Sequence, residues 1–128
     1  MSRIKIDSIE YDKINIENPE IDIKNKSIEV SINISYNTDI NKNQVKSTAD
    51  ISFNLTDCLL ANFTFTFIFT VDQLSKSVIE NGSKFSISSN LLNMLNDIVV
   101  STSRGIIFEK MKGTSLEKLK IPVIEDHI

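Results

Sequence analysis

The sequence predicts an α+β fold: a four-stranded antiparallel sheet followed by one long C-terminal helix. Two observations carry this. Residues Asn62–Asp72 (NFTFTFIFTVD) place Phe63, Phe65, Phe67, Phe69 and Val71 on one side and Thr64, Thr66, Ile68 and Thr70 on the other, the period-2 alternation of a one-sided strand. The only long stretch with helical spacing, Ser89–Lys112, comes after it, while three further extended segments precede it.

The elements follow in order. Residues 3–9 and 11–17 read as extended, with Ile4 and Ile6, then Ile14 and Ile16, spaced by two. Pro19 closes this region, since it cannot donate a ladder hydrogen bond. Ile28–Tyr36 alternates Ile28, Val30, Ile32 and Ile34 with Glu29, Ser31, Asn33 and Ser35. A turn-rich stretch, Asn37–Asn43, leads into a strand over Val45–Thr56 with Ile51, Phe53 and Leu55 on one face. With the phenylalanine strand, these three form an antiparallel meander, to which the N-terminal strand adds a fourth.

Between Gln73 and Ile87 the pattern weakens. Leu74, Val78 and Ile79 fit a short helix, and Asn81-Gly82 punctuates. Ser88 or Ser89 then caps a helix carrying Leu91, Leu92, Leu95, Ile98, Val99, Thr102 and Ile106 on one stripe. Lys110 and Lys112 meet the negative end of its dipole, and Gly113 ends it. Leu119–Ile124 reads as extended around Pro122.

At 128 residues, 41% hydrophobic and 24% charged, the chain has the composition of one globular domain spanning 1–128. A net charge of -3 offers no electrostatic footprint for nucleic acid or an anionic membrane surface. The N-terminus alternates polar and apolar residues where a signal peptide needs a continuous apolar run, so a cytoplasmic protein without membrane insertion is expected. The lone cysteine, Cys58, suits a reducing compartment. With His127 far from it in sequence and no metal-spaced cluster, no catalytic constellation, metal or cofactor is expected, and the chain reads as a non-enzyme.

Area supplies the first hint of function. Four strands about 4.8 Å apart make a face nearly 20 Å wide, whereas one helix with its side chains is about 10–12 Å across. Roughly half of the apolar face is left to be covered by another subunit or by an unfolded client, more than a monomer ordinarily exposes.

Three motifs occur in an order that resembles the bacterial export chaperone SecB. Lys13-Ile14-Asn15-Ile16-Glu17-Asn18-Pro19 is similar to that family's Asp-Ile-Ser-Phe-Glu-x-Pro stretch. Leu60-Ala61-Asn62 with Ile68-Phe69-Thr70-Val71 resembles its third-strand region, and Ser103-Arg104-Gly105-Ile106 with Ile121-Pro122-Val123 its helix end and Pro-Val segment. The resemblance implies a dimer of dimers that holds unfolded polypeptide in hydrophobic grooves without ATP. The chain's three glycines, Gly82, Gly105 and Gly113, form no phosphate loop.

The family's acidic patch for the motor SecA has Asp where this chain has Lys13 and Glu where it has Asn62, with Glu17 the one match. SecB-like proteins that serve the antitoxin of a toxin–antitoxin pair are the other setting the resemblance offers. On these grounds Ile14, Ile16, Phe53, Leu60, Phe63, Phe65 and Phe67 are the expected peptide-binding residues, and Glu17 the partner contact. Leu92, Leu95, Val99, Arg104, Gly105 and Ile106 are the expected oligomer interface. The competing reading is an oligomeric adaptor that binds one folded partner through the same surface.

Overall fold

A computed structural model describes residues 3–17, 27–55, 58–81 and 84–114. Strands β1 (Ile4–Ile16), β2 (Glu29–Asp39), β3 (Gln44–Leu55) and β4 (Cys58–Val71) form one antiparallel sheet in the order β1-β4-β3-β2. A small hairpin follows, β5 (Val78–Asn81) with β6 (Lys84–Ile87), and then the helix α1 (Ser89–Met111). The fold class is the one the sequence predicts.

The helix lies over the two central strands. Val45, Ala49, Ile51 and Phe53 of β3 and Phe63, Phe65, Phe67, Phe69 and Val71 of β4 are essentially inaccessible beneath it. Stacked pairs Phe63–Phe65 and Phe67–Phe69, with ring centroids 6.2 and 5.9 Å apart, run along β4, and Phe53 meets Phe63 edge-on.

Strand β4 starts at Cys58, four residues before the alternation becomes visible, because Leu60 is an extra residue in the β3–β4 ladder. Phe53 faces Ala61, whereas Asn54 faces Leu59. A bulge of this kind points two neighbouring side chains to one side, and both Leu60 and Ala61 are fully buried in the core.

Strand β1 carries two bulges, and they join the two N-terminal segments into one. Opposite β4 its register skips Asp7 and Asp12. Pairing across the ladder then sets Ile4, Ile6, Ile9, Tyr11, Ile14 and Ile16 all on the helix side, opposite Val71, Phe69, Phe67, Phe65, Phe63 and Ala61. The apolar residues recur every five positions, so without a bulge after each pair they would change face. Each bulge aspartate accepts a hydrogen bond from a threonine of β4, Asp7 from Thr70 and Asp12 from Thr66. Strand β2, by contrast, pairs with β3 without a break over its whole length.

The β2–β3 turn is a 3₁₀ turn, Ile40–Lys42, in which Asp39 accepts from the Lys42 amide. Asn43 follows in the left-handed conformation that Asn tolerates. Its carbonyl receives the Val71 amide at 2.8 Å and its side chain the Leu74 amide at 3.3 Å, clamping this turn to the end of β4.

The short helix expected around Leu74, Val78 and Ile79 is instead a 3₁₀ turn over Leu74–Ser77 with Leu74 buried, after which Val78 opens β5. Two β-branched residues before Asn81-Gly82 are a hairpin signal. Ser88 caps α1, accepting from the Leu91 amide. At the other end Gly113 has φ +84 and Thr114 bonds back to the Met111 carbonyl. Pro19 and Leu119–Ile124 lie outside the described residues.

The helix stripe also differs from the expected one. The fully covered row is Leu91, Leu95, Val99, Ser103, Ile107 and Met111, with Asn96 and Val100 beside it, whereas Leu92, Ile98, Thr102 and Ile106 are half-buried. Steps of four residues drift by about 40° around a helix, so this row describes a helix crossing the strands obliquely. Asn96 reaches β2, where its Oδ1 accepts from the Tyr36 hydroxyl.

Burial pushes the Tyr36 phenol up to about 12 from an ordinary 10, so the phenol stays a donor across the neutral range. Between these values the unfolded chain loses the proton and the folded chain keeps it, so stability falls as pH rises above about 10. Tyr36→Phe is expected to flatten this alkaline slope in chemical denaturation while costing about 1–3 kcal/mol at neutral pH, from the orphaned Asn96 carbonyl. Phe65→Ala, which empties the middle of the core, is expected to cost about 3–5 kcal/mol in the same assay.

Candidate functional site

The oblique helix leaves β1 uncovered. Of the six apolar side chains that β1 turns toward the helix side, Ile6 is 40%, Tyr11 52% and Ile14 39% exposed, while Ile4, Ile9 and Ile16 are half-buried. The uncovered part of the face is thus confined to one strand of four, less than the half that the widths of sheet and helix suggest, because Val30, Ile32, Ile34 and Tyr36 of β2 pack against the core.

Between β1 and the second half of α1 runs a groove of about 410 Å³, lined by Tyr11, Ser101, Thr102, Gly105, Ile106, Glu109 and Lys110. Tyr11 forms one wall. Its ring meets Phe65 edge-on at 5.6 Å, and the Lys110 ammonium stands 5.8 Å from the ring centroid, a cation–π contact across the groove. Gly105 lies on the helical wall, where an added Cβ would meet nothing within 4 Å. Glycine in mid-helix costs about 1 kcal/mol relative to alanine, and the described residues give Gly105 no packing partner that requires it.

Elsewhere on α1, Met94 and Phe108 are exposed, the latter 58% with the Lys112 ammonium over its ring, and neither lines the groove. A larger hollow of about 780 Å³ lies at the β2–β3 turn, where Asn37, Thr38, Asp39 and Asn41 contribute much of its wall. Ile40, Ile68 and Val78 contribute its apolar lining.

The expected peptide-binding residues separate into two groups. Ile14 and Ile16 stand on the open row of β1. Phe53, Leu60, Phe63, Phe65 and Phe67 are fully buried under the helix, so a ligand in the groove touches none of them while α1 stays in place. The alternation that singles out the phenylalanines belongs to the strand most completely covered.

The expected interface divides similarly. Leu95 and Val99 are consumed by the protomer's own core and Leu92 is half-buried, whereas Arg104 and Gly105 are exposed and half-buried Ile106 lines the groove. Glu17 is exposed at the end of β1, its side chain accepting from Asn15 at 2.7 Å and its amide bonded to the Leu60 carbonyl. Asn62 is buried, donating to Asp50 at 2.9 Å and Ser52 at 2.8 Å, so it offers no surface counterpart to a carboxylate. The residues missed by sequence reasoning are Ile6, Ile9, Tyr11 and Lys110. The five-residue recurrence Ile4/Ile9/Ile14 and Ile6/Tyr11/Ile16 was the signal available for the first three.

Among the described residues no group of His, Cys, Asp and Glu is arranged to hold a metal ion, and no helix is long and apolar enough to cross a membrane.

A four-stranded sheet in the order β1-β4-β3-β2, backed by one long helix, is the SecB-like fold, and comparison with solved structures agrees. The SecB-like chaperone Rv1957 of Mycobacterium tuberculosis, determined in complex with a ChAD peptide from the Rv1956 HigA1 antitoxin, superposes with a TM-score of 0.66 over 96% of this chain and 91% of its own, at 11% identity. A protein of unknown function from Streptococcus agalactiae aligns over 97% of this chain and 98% of its own, with a TM-score of 0.47 and 11% identity. No protein-family model and no curated protein matches the sequence.

The burial pattern separates a core position from a surface one. Val99→Asp is expected to unfold the protomer, because an unpaired charge in the core costs several kcal/mol, and circular dichroism should show lost structure and not merely a smaller particle. Ile14→Ser is expected to cost about 1–2 kcal/mol, since its side chain is 39% exposed and only partly withdrawn from water.

Proposed function

We propose that this chain is an ATP-independent molecular chaperone, a holdase that keeps unfolded polypeptide segments from aggregating by holding them along the groove between β1 and α1. The observation that carries the reading is the open row Ile6, Tyr11 and Ile14. Single exposed apolar residues are ordinary, but a continuous row along one strand, next to a groove, marks a binding surface. The groove is open, and the polar groups of its lining, Ser101, Thr102, Glu109 and Lys110, belong to α1, so the apolar contribution to binding comes chiefly from the β1 row.

By analogy of fold, a peptide segment of an antitoxin is one class of client, because the Mycobacterium tuberculosis chaperone of this fold was determined with such a peptide. Lys13 exposed on β1 and Asn62 buried in the sheet speak against the acidic docking patch of an export chaperone, so the antitoxin setting is the one favoured here over export. In this reading the protein works in the cytoplasm as a homo-oligomer, a dimer of dimers. Arg104 and Phe108 on the exposed side of α1, outside the groove, supply part of the interface.

The test is aggregation of chemically unfolded protein on dilution, followed by light scattering with and without this chain and with no nucleotide. Suppression near stoichiometric amounts is expected. The triple variant Ile6→Ser/Tyr11→Ser/Ile14→Ser should need about tenfold more protein for the same effect while keeping the wild-type helix signal. A well-folded chain that suppresses nothing, yet captures one folded partner, would replace the holdase with the adaptor reading.

A further inference from the structure

We propose that the groove between β1 and α1 selects polypeptide segments whose apolar residues are flanked by carboxylates, and that Lys110 is the residue that sets this preference. The proposal rests on the reading of the groove as a polypeptide site and names the class of segment it takes.

The sign of the groove is decided by α1 alone. Strand β1 sends its charges to the other side of the sheet. Lys5, Glu10 and Lys13 stand opposite Thr70, Thr66 and Thr64 of β4, and Asp7 and Asp12 accept from Thr70 and Thr66. The row that β1 turns toward the helix, from Ile4 to Ile16, holds no charge. On the helical wall the hydroxyls of Ser101 and Thr102 can both donate and accept, so they favour neither sign. The charged lining residues are Glu109 and Lys110. The Glu109 carboxylate is paired with the Lys112 ammonium at 3.0 Å. Lys110 has no carboxylate partner among the described residues, and its ammonium stands over the Tyr11 ring.

Two ammonium groups and one carboxylate leave this end of the groove with a net positive charge. The helix C-terminus returns roughly half a negative charge, which lowers the potential without reversing it. Asp97, the preceding carboxylate on α1, does not line the groove. It lies about 20 Å from Lys110 along the helix at 1.5 Å per residue, about two screening lengths at physiological salt.

Position supplies the rest. Lys110 stands over Tyr11, an exposed member of the β1 row, so an apolar side chain laid on that row brings its neighbours in sequence to the ammonium. The cation–π contact already holds the lysine there, and less rotamer freedom is lost when it pairs. Apolar contact also displaces water around the pair, which strengthens it beyond a free surface salt bridge. The chain as a whole acts the other way, since its net charge of -3 repels acidic segments at long range. A preference for acidic segments is therefore a signature of the groove and not of overall charge.

The full chain is titrated against three dye-labelled peptides that share one apolar core, Val-Ile-Tyr-Ile, flanked on both sides by Glu, by Gln or by Lys, with affinity read from anisotropy. At low ionic strength the Glu peptide is expected to bind about threefold tighter than the Gln peptide and about tenfold tighter than the Lys peptide, the three converging in about 1 M salt. Lys110→Glu should reverse the order and Lys110→Arg should keep it, both with an unchanged helix signal in circular dichroism. Lys112→Gln, which releases Glu109, should bring the ratio of Glu to Lys affinities close to one although Lys110 is still present.

Equal affinity for the Glu and Gln peptides overturns the proposal and leaves the holdase standing on the binding itself. So does a Lys110→Glu variant that moves all three affinities together, which would confine Lys110 to bracing Tyr11. Binding of the Glu peptide alone, with the Gln and Lys peptides inert, upholds the charge selection and replaces the holdase with a charge-specific adaptor. If no peptide binds, both readings fall.

Discussion

One helix has to cover four strands, and most features of this structure follow from that mismatch. A helix about 10–12 Å across cannot close a face nearly 20 Å wide. The chain places it where the phenylalanines are, over β3 and β4, and slants it so that its buried row winds from Leu91 to Met111. The Tyr36–Asn96 hydrogen bond ties the helix to β2 on one side. On the opposite side it stops short of β1. The open surface is thus concentrated along a single strand, and a concentrated apolar row is something a ligand can recognise.

The polar face of the sheet is organised by side-chain hydrogen bonds. Asp7, Asp12 and Asp50 each accept from a residue of β4, respectively Thr70, Thr66 and both Asn62 and Thr64. Two of these aspartates are the extra residues of the β1 bulges, so the same residues that correct the strand's phase also anchor it. The bulges keep all six apolar residues of β1 toward the helix.

Much of the architecture was legible in the sequence because it obeys simple periods. The alternation of β2 and of the phenylalanine strand, the turn residues near Asn43 and Gly113 all read directly, and the helix cap was narrowed to Ser88 or Ser89. Where a local device breaks the period, legibility failed. Leu60 hides the start of β4, and Asp7 and Asp12 hide which side chains of β1 share a face. The short hairpin was obscured by a 3₁₀ turn at Leu74. The candidate site was less visible than the fold for a related reason. The most hydrophobic strand attracts functional assignment, yet burial follows hydrophobicity, and residues such as Phe63 and Phe65 have the least surface to offer. On the helix, buried Asn96 and Ser103 interrupt the apolar pattern and displaced the expected stripe toward Leu92 and Ile106.

The two flanks of the sheet are built differently. Strand β1 has its ladder interrupted twice and carries Lys5 and Lys13, features that discourage an additional strand from aligning on it. Strand β2 pairs in unbroken register from Glu29 to Asp39, contains no proline or lysine, and among the described residues pairs only with β3. A polypeptide that extends this sheet by main-chain hydrogen bonds therefore finds its longest straight template at β2, on the far side of the molecule from the row of exposed isoleucines. The fold thus puts its exposed apolar side chains and its longest unpaired backbone edge among the described residues on opposite flanks of the sheet.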